Sequence, residues 1–193
     1  MLDIEKIEKA AAVCRYCELH SGRIRSVFAK GNPAASLMIC GMVPGPDENQ
    51  IGLPFVGRAG KLLDNVLGDL GILSEEVYIT NLVKCFLQPG KPLKPEWIHA
   101  CLPYIISQIT IIRPKVIITL GADASMTLLG LDPKENLMRN IRGEVFDYTE
   151  QIKVVPTYHP SYILRQGGVN SKAYGDIVVD FKKALYTLNE ISS

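Results

Sequence analysis

The stretch Ser36-Leu37-Met38-Ile39-Cys40-Gly41-Met42-Val43-Pro44-Gly45-Pro46 decides the fold. A short apolar run cut off by glycines and prolines is the pattern of a buried strand that delivers a loop at its carboxyl end. In open α/β sheets that end is where ligands bind. Downstream, residues Gly60 to Gly71 carry Leu62, Leu63, Leu67 and Leu70 at helical spacing, and a glycine stop precedes a second strand, Glu76-Val77-Tyr78-Ile79-Thr80-Asn81. Gln88-Pro89-Gly90-Lys91-Pro92-Leu93-Lys94-Pro95 predicts a proline-rich loop, with Pro95 opening a helix through Trp97 to Ile112. Lys115-Val116-Ile117-Ile118-Thr119-Leu120-Gly121 reads as a third buried strand, followed by a helix near 122–130.

Farther out, Val145-Phe146-Asp147-Tyr148 and Lys153-Val154-Val155-Pro156-Thr157 read as a hairpin-like pair leading into Tyr158-His159-Pro160-Ser161, and a last helix is expected over 172–190. Upstream, Ile4, Ile7, Ala10, Ala11 and Cys14 keep helical spacing until the pattern breaks into Cys14-Arg15-Tyr16-Cys17. Strands alternate with helices throughout, which predicts an α/β layer fold around a central, mainly parallel sheet. No internal repeat or low-complexity segment interrupts it.

With 193 residues and 47% hydrophobic content, the chain can bury one sizeable core, so a single domain over 1–193 is the expectation. Twenty-one basic and twenty acidic side chains leave a net charge of +1, so any nucleic-acid surface has to be a local patch. No run approaches the roughly 18 apolar residues of a membrane span, and the start MLDIEKIEKAAAVC mixes acids with its lysines. A cytoplasmic location is expected.

Four of the five cysteines fall into two groups, Cys14 with Cys17 and Cys85 with Cys101, while Cys40 lies inside the first apolar run. The two-residue gap between Cys14 and Cys17 lets both sulfurs reach one centre from a single turn; the fifteen-residue gap between Cys85 and Cys101 closes only if a loop and helix return to the same place. Metal ligation, a redox dithiol and plain packing are the readings of this pattern, and spacing does not separate zinc from an iron-sulfur cluster. Cys40 reads as a small core hydrophobe.

The run from Gly41 to Leu63, which contains Gly52-Leu53-Pro54-Phe55-Val56-Gly57-Arg58-Ala59-Gly60, closely resembles the first motif of the family 4, iron-sulfur uracil-DNA glycosylases. Tyr78-Ile79-Thr80-Asn81-Leu82-Val83-Lys84-Cys85 resembles the second-strand motif of that family, Arg113 through Gly121 its third, and Pro156-Thr157-Tyr158-His159-Pro160-Ser161-Tyr162 its histidine loop. The resemblance runs in order from about Cys14 to the last helix. It implies a three-layer α/β/α fold with a mainly parallel four-stranded sheet, excision of uracil from single- or double-stranded DNA, and a structural 4Fe-4S cluster held by Cys14, Cys17, Cys85 and Cys101. The expected partner is DNA containing uracil, with no membrane and the protein a monomer.

A base-excising enzyme must hold an extruded base by its face and edge. The resemblance assigns Phe55 to stack on uracil and Asn81, whose amide both donates and accepts, to pair with O4 and N3–H. Gly41, Met42 and Val43 would complete the pocket wall through backbone groups. His159 would donate toward O2 as negative charge collects there. Pro160, Ser161 and Arg165 would meet DNA, with Lys172, Arg23, Arg25, Lys61 and Lys84 as weaker candidates for phosphate contacts.

At position 42 the family usually carries a glutamate thought to position water, and this chain has Met42. Glu48 corresponds to an acidic position of the family and is the candidate to orient water instead, together with Asn81 or His159. The same departure motivates two rival readings: a deaminated-base binder with weak turnover, and a glycosylase of altered base choice.

Overall fold

Apolar runs too short for a stable helix and bounded by turn residues become strands when helices can cover both of their faces. A computed structural model describes residues 3–192. In chain order, α1 spans Ile4–Val13, β1 Ala29–Gly31, β2 Leu37–Gly41, α2 Pro46–Ile51, α3 Arg58–Asp69 and β3 Val77–Asn81. Then follow α4 Pro95–Ile112, β4 Val116–Leu120, α5 Ala122–Leu129 and α6 Met138–Ile141. The chain closes with β5 Phe146–Thr149, β6 Ile152–Thr157, α7 Pro160–Arg165 and α8 Lys172–Ser192. Among the described residues no helix is long and apolar enough to cross a membrane.

The strands form one mixed sheet in the order β1-β3-β2-β4-β6-β5. Pairings β2–β3, β2–β4 and β4–β6 are parallel, while β1 and β5 pair antiparallel at the two edges. The expected count of four strands is therefore corrected to six. Ala29-Lys30-Gly31 is too short to show alternation, and a hairpin strand such as β5 adds an edge without changing the parallel interior.

Side chains alternate across the pleat and build two cores. Leu37 and Ile39 of β2 pack into a cluster with Leu63 and Val66 of α3 and Ile177 and Phe181 of α8. Met38 and Cys40 face the other way, into a cluster with Ile105 and Ile109 of α4 and Ala124 of α5. Helices thus lie on both faces, and β2, β3 and β4 are buried along their whole length.

A buried polar network fixes the carboxyl end of β6. Asp180 on α8 is 2% exposed and accepts from Arg142 Nε at 3.0 Å, Arg142 Nη2 at 2.7 Å and Thr157 Oγ1 at 2.6 Å. The Arg142 guanidinium also lies 5.2 Å from the centre of the Tyr158 ring. Removing one partner of such a pair leaves an uncompensated buried charge. Arg142→Met is expected to lower the unfolding free energy by about 3–5 kcal/mol, measured by urea denaturation followed by circular dichroism; an unchanged midpoint and slope would show that the network contributes nothing.

Candidate active site

Parallel strands end at the same edge of a sheet, so the loops after β2, β3 and β6 converge there. Between them lies a cavity of about 330 Å³ lined by Val43, Glu48, Phe55, Asn81, His159 and Ser161, with Asp47 and Arg58 among the remaining wall. Its size is that of a site for a small planar molecule. Phe55, Asn81 and His159, which come from three distant segments, line this one space.

Phe55 reaches the cavity on a strained backbone. Its φ is +52°, a left-handed conformation that is rare for a bulky side chain and persists only where the surroundings enforce it. Three contacts do so. Lys30 Nζ, from the edge strand β1, donates to the Phe55 carbonyl at 2.9 Å. Val56 N and Gly57 N both donate to Glu48 Oε1 at 2.9 Å. Gly60 has no Cβ, and one placed there would collide with the Phe55 carbonyl. The ring, 5% exposed, sits 6.0 Å from the His159 ring at an interplanar angle of 35°.

Asn81, at the carboxyl end of β3, is 2% exposed, and its Oδ1 is buried without a hydrogen-bond partner. Among the described residues it is the one buried side-chain polar atom in that condition. An unsatisfied buried acceptor costs about 1–3 kcal/mol, so its presence at a cavity wall marks a place where a ligand completes the bonding. Gly41 makes room for it, because a Cβ at Gly41 would strike both Asn81 Oδ1 and the Phe55 ring.

His159 caps the amino end of α7 through its own ring. Nδ1 accepts from Ser161 N at 3.1 Å and lies 2.8 Å from Ser161 Oγ. A backbone N–H can only donate, so Nδ1 holds a lone pair and the proton of the neutral ring is on Nε2. Burial pushes the imidazole down to about 4; Arg165 lowers it further and Glu48 opposes the shift. The ring is therefore a neutral donor near pH 7.

The remaining candidate residues are placed as follows. Pro160 is buried in the first turn of α7, so the segment expected as a DNA-facing loop is helical, and Ser161 is taken up by the His159 ring; Arg165 alone of the three is exposed. Of the three expected wall residues, Val43 lines the cavity. The Gly41 and Met42 carbonyls accept from Leu82 N and Val83 N at 2.9 Å, and the Met42 side chain packs into the core with Leu82 and Trp97. Lys84 is 1% exposed and out of reach of any phosphate. Arg23 donates to Cys85 Sγ at 3.2 Å and to the Ala12 carbonyl at 2.6 Å, an internal role. Lys30 went unread because its three-residue strand carries no periodic signal.

Cys14, Cys17, Cys85 and Cys101 line one small cavity beside Arg23 and Tyr104, all as free thiols. Lys84 N donates to Cys101 Sγ at 3.2 Å. Cys40 is fully buried in the sheet, and burial pushes its thiol up to about 12 against the opposing effect of Lys84.

Comparison with known proteins agrees with the motif resemblance. The model of the uracil DNA glycosylase superfamily matches residues 28–182. A type-4 uracil-DNA glycosylase of Thermotoga maritima is 40% identical over 162 residues, which is 84% of this chain and 83% of its own. Its counterpart in Archaeoglobus fulgidus is 35% identical over 85% of this chain and 84% of its own, and that of Pyrobaculum aerophilum 34% identical over 93% and 94%. With a matching motif in each of the loops that build the cavity, the chain belongs to the uracil DNA glycosylase superfamily, in its type-4 group.

Proposed function

We propose that this protein flips uracil out of single- or double-stranded DNA and hydrolyses its N-glycosidic bond, leaving an abasic site, as one domain and one copy. The observation that carries this reading is the unpartnered Asn81 Oδ1 beside the Phe55 ring and the neutral His159. Phe55 stacks on the extruded base, and the Asn81 amide pairs with O4 and N3–H. Cytosine presents a donor and an acceptor in the reverse order, so it leaves two buried groups unpaired. That mismatch is the strongest kind of discrimination a small pocket can make.

As the bond between N1 and C1′ breaks, negative charge spreads over the uracil and reaches O2, where His159 Nε2–H donates. The sugar becomes cationic, and the oxygen of a water bonds to C1′ while its proton passes to Glu48 and from there, through solvent, to the departing uracil anion. Glu48 is the carboxylate available to orient that water. Its Oε1 is committed to Val56 N and Gly57 N, whereas Oε2 lies against Gly45 outside that clamp. Arg165, exposed at the end of α7, is suited to a backbone phosphate. A non-cleaving binder was motivated by Met42, and that side chain lies in the core rather than in the cavity.

The thiol cavity suits a 4Fe-4S cluster. Among the described residues no three metal-binding side chains converge tightly enough for a single ion, yet four thiols share one cavity, and N–H groups of Arg23 and Lys84 point at two of the sulfurs. Donors to sulfur are a common feature of cluster sites. Held by Cys14, Cys17, Cys85 and Cys101, the cluster supplies a cross-link between the segment after α1, the loop after β3 and α4. An absorption band near 400 nm that disappears with loss of iron is the expected signature.

Three measurements test the reading. Oligonucleotides containing uracil, treated with the protein and then alkali, are expected to break at uracil; intact strands would sink the proposal. Glu48→Gln keeps an acceptor for Val56 and Gly57 but removes the charge, so it is expected to slow excision by about 10²-fold with little loss of stability, while Glu48→Ala loses both rate and stability. Equal rates for Glu48→Gln and wild type would remove Glu48 from the chemistry.

The pH profile reads His159. A base whose folded pKa is depressed keeps its neutral form on lowering pH through 6.5, so kcat/KM is expected to hold there and to fall only toward about 4. Decline centred near 6.5 would mean that the ring titrates freely and is not the buried donor described.

A further inference from the structure

Lys84 is among the largest fully buried side chains, and among the described residues no carboxylate pairs with it. Its ammonium donates to Thr80 Oγ1 at 2.8 Å, to the Asn81 main-chain carbonyl at 2.5 Å and to Gln108 Oε1 at 2.6 Å. An ammonium has three protons, and three neutral acceptors take them. The Phe28 ring lies 5.5 Å away. Two of the acceptors are themselves held: Thr80 Oγ1 donates to the Phe28 carbonyl at 2.7 Å, and Gln108 Nε2 donates to Tyr78 Oη at 2.9 Å.

Burying a cation against neutral dipoles alone is unfavourable compared with an apolar side chain of similar volume. Stability therefore does not account for this lysine, and what it grips does. The last β1 partner on β3 is Thr80, opposite Ala29, so the carbonyl of Asn81 lies just past the end of that ladder. Lys84 bonds it there. With the main chain of Asn81 pinned, two side-chain torsions decide where the amide points, and its unpartnered Oδ1 stays at the cavity. Lys84, next in sequence to Cys85, also donates its backbone N–H to Cys101 Sγ. One residue thus bridges the thiol cavity and the base-reading amide.

We propose that Lys84 is a positioning residue for uracil recognition: its ammonium fixes the Asn81 backbone so that the amide is set for the base before the base arrives. This deepens the functional reading above and rests on it. Orientation of that kind acts on every step in which the base is held, and it does not act on DNA from which the base is missing.

The test uses the whole chain with its iron content measured. Lys84→Met keeps the length and removes the charge and the donors. Inhibition by free uracil is expected to weaken about tenfold, with kcat/KM on uracil-containing DNA falling at least as far. Affinity for abasic-site DNA and visible absorbance per chain are expected to stay at wild-type values. Thr80→Val, which removes one of the three acceptors, is expected to shift free-uracil inhibition the same way by about threefold, and it decides the matter if Lys84→Met does not fold. Wild-type uracil inhibition in the folded variants would overturn the proposal. So would a parallel loss of abasic-DNA affinity and absorbance, which marks general damage. A wild-type protein that neither excises uracil nor is inhibited by it would instead sink the functional reading, and the positioning role with it.

Discussion

A parallel sheet carries the carboxyl ends of its strands to one edge, and everything described at the cavity depends on that. β2, β3 and β6 are separated in sequence by long connections, yet their registers place Gly41 opposite Asn81 and run β6 alongside β4 to Thr157, two residues before His159. Because the strands are mostly apolar on both faces, helices cover both, and the strand ends open onto the loop edge. An aromatic ring, an amide and an imidazole are then supplied by three separate segments where the core meets that edge.

The groups at that edge are held in states that water would not give them. Phe55 is kept at a left-handed backbone by Lys30, Glu48 and the absent side chain of Gly60. Asn81 keeps an acceptor without a partner, and His159 is kept neutral by burial. Each departure is unfavourable for the free protein, and each is enforced by ordinary hydrogen bonds from neighbouring elements. Preorganisation of this sort places the reorganisation cost in folding rather than in the reaction.

How much of this was legible in the sequence follows from where the signal lay. The apolar runs 37–41, 77–81 and 116–120 announced the parallel interior, and the motifs around Phe55, Asn81 and His159 marked the loops that meet. Illegible were features carried by direction and distance rather than pattern. Nothing in Ala29-Lys30-Gly31 says that a lysine will reach the Phe55 carbonyl. The fate of Lys84 was equally hidden, since a single charged residue beside a cysteine looks solvated until Thr80, Gln108 and the Asn81 carbonyl surround it. His-Pro-Ser suggests a loop, whereas proline in the first turn with a ring cap is also a good way to begin a helix.

The positive φ at Phe55 sets two selective pressures against each other. Glycine or asparagine would occupy that backbone with about 1–3 kcal/mol less strain, but would empty the space that the buried ring fills in the core beside Leu62 and Leu63. One side chain thus carries both the strain of its backbone and the packing that offsets it. A screen of variants by melting temperature would keep the ring for its packing alone.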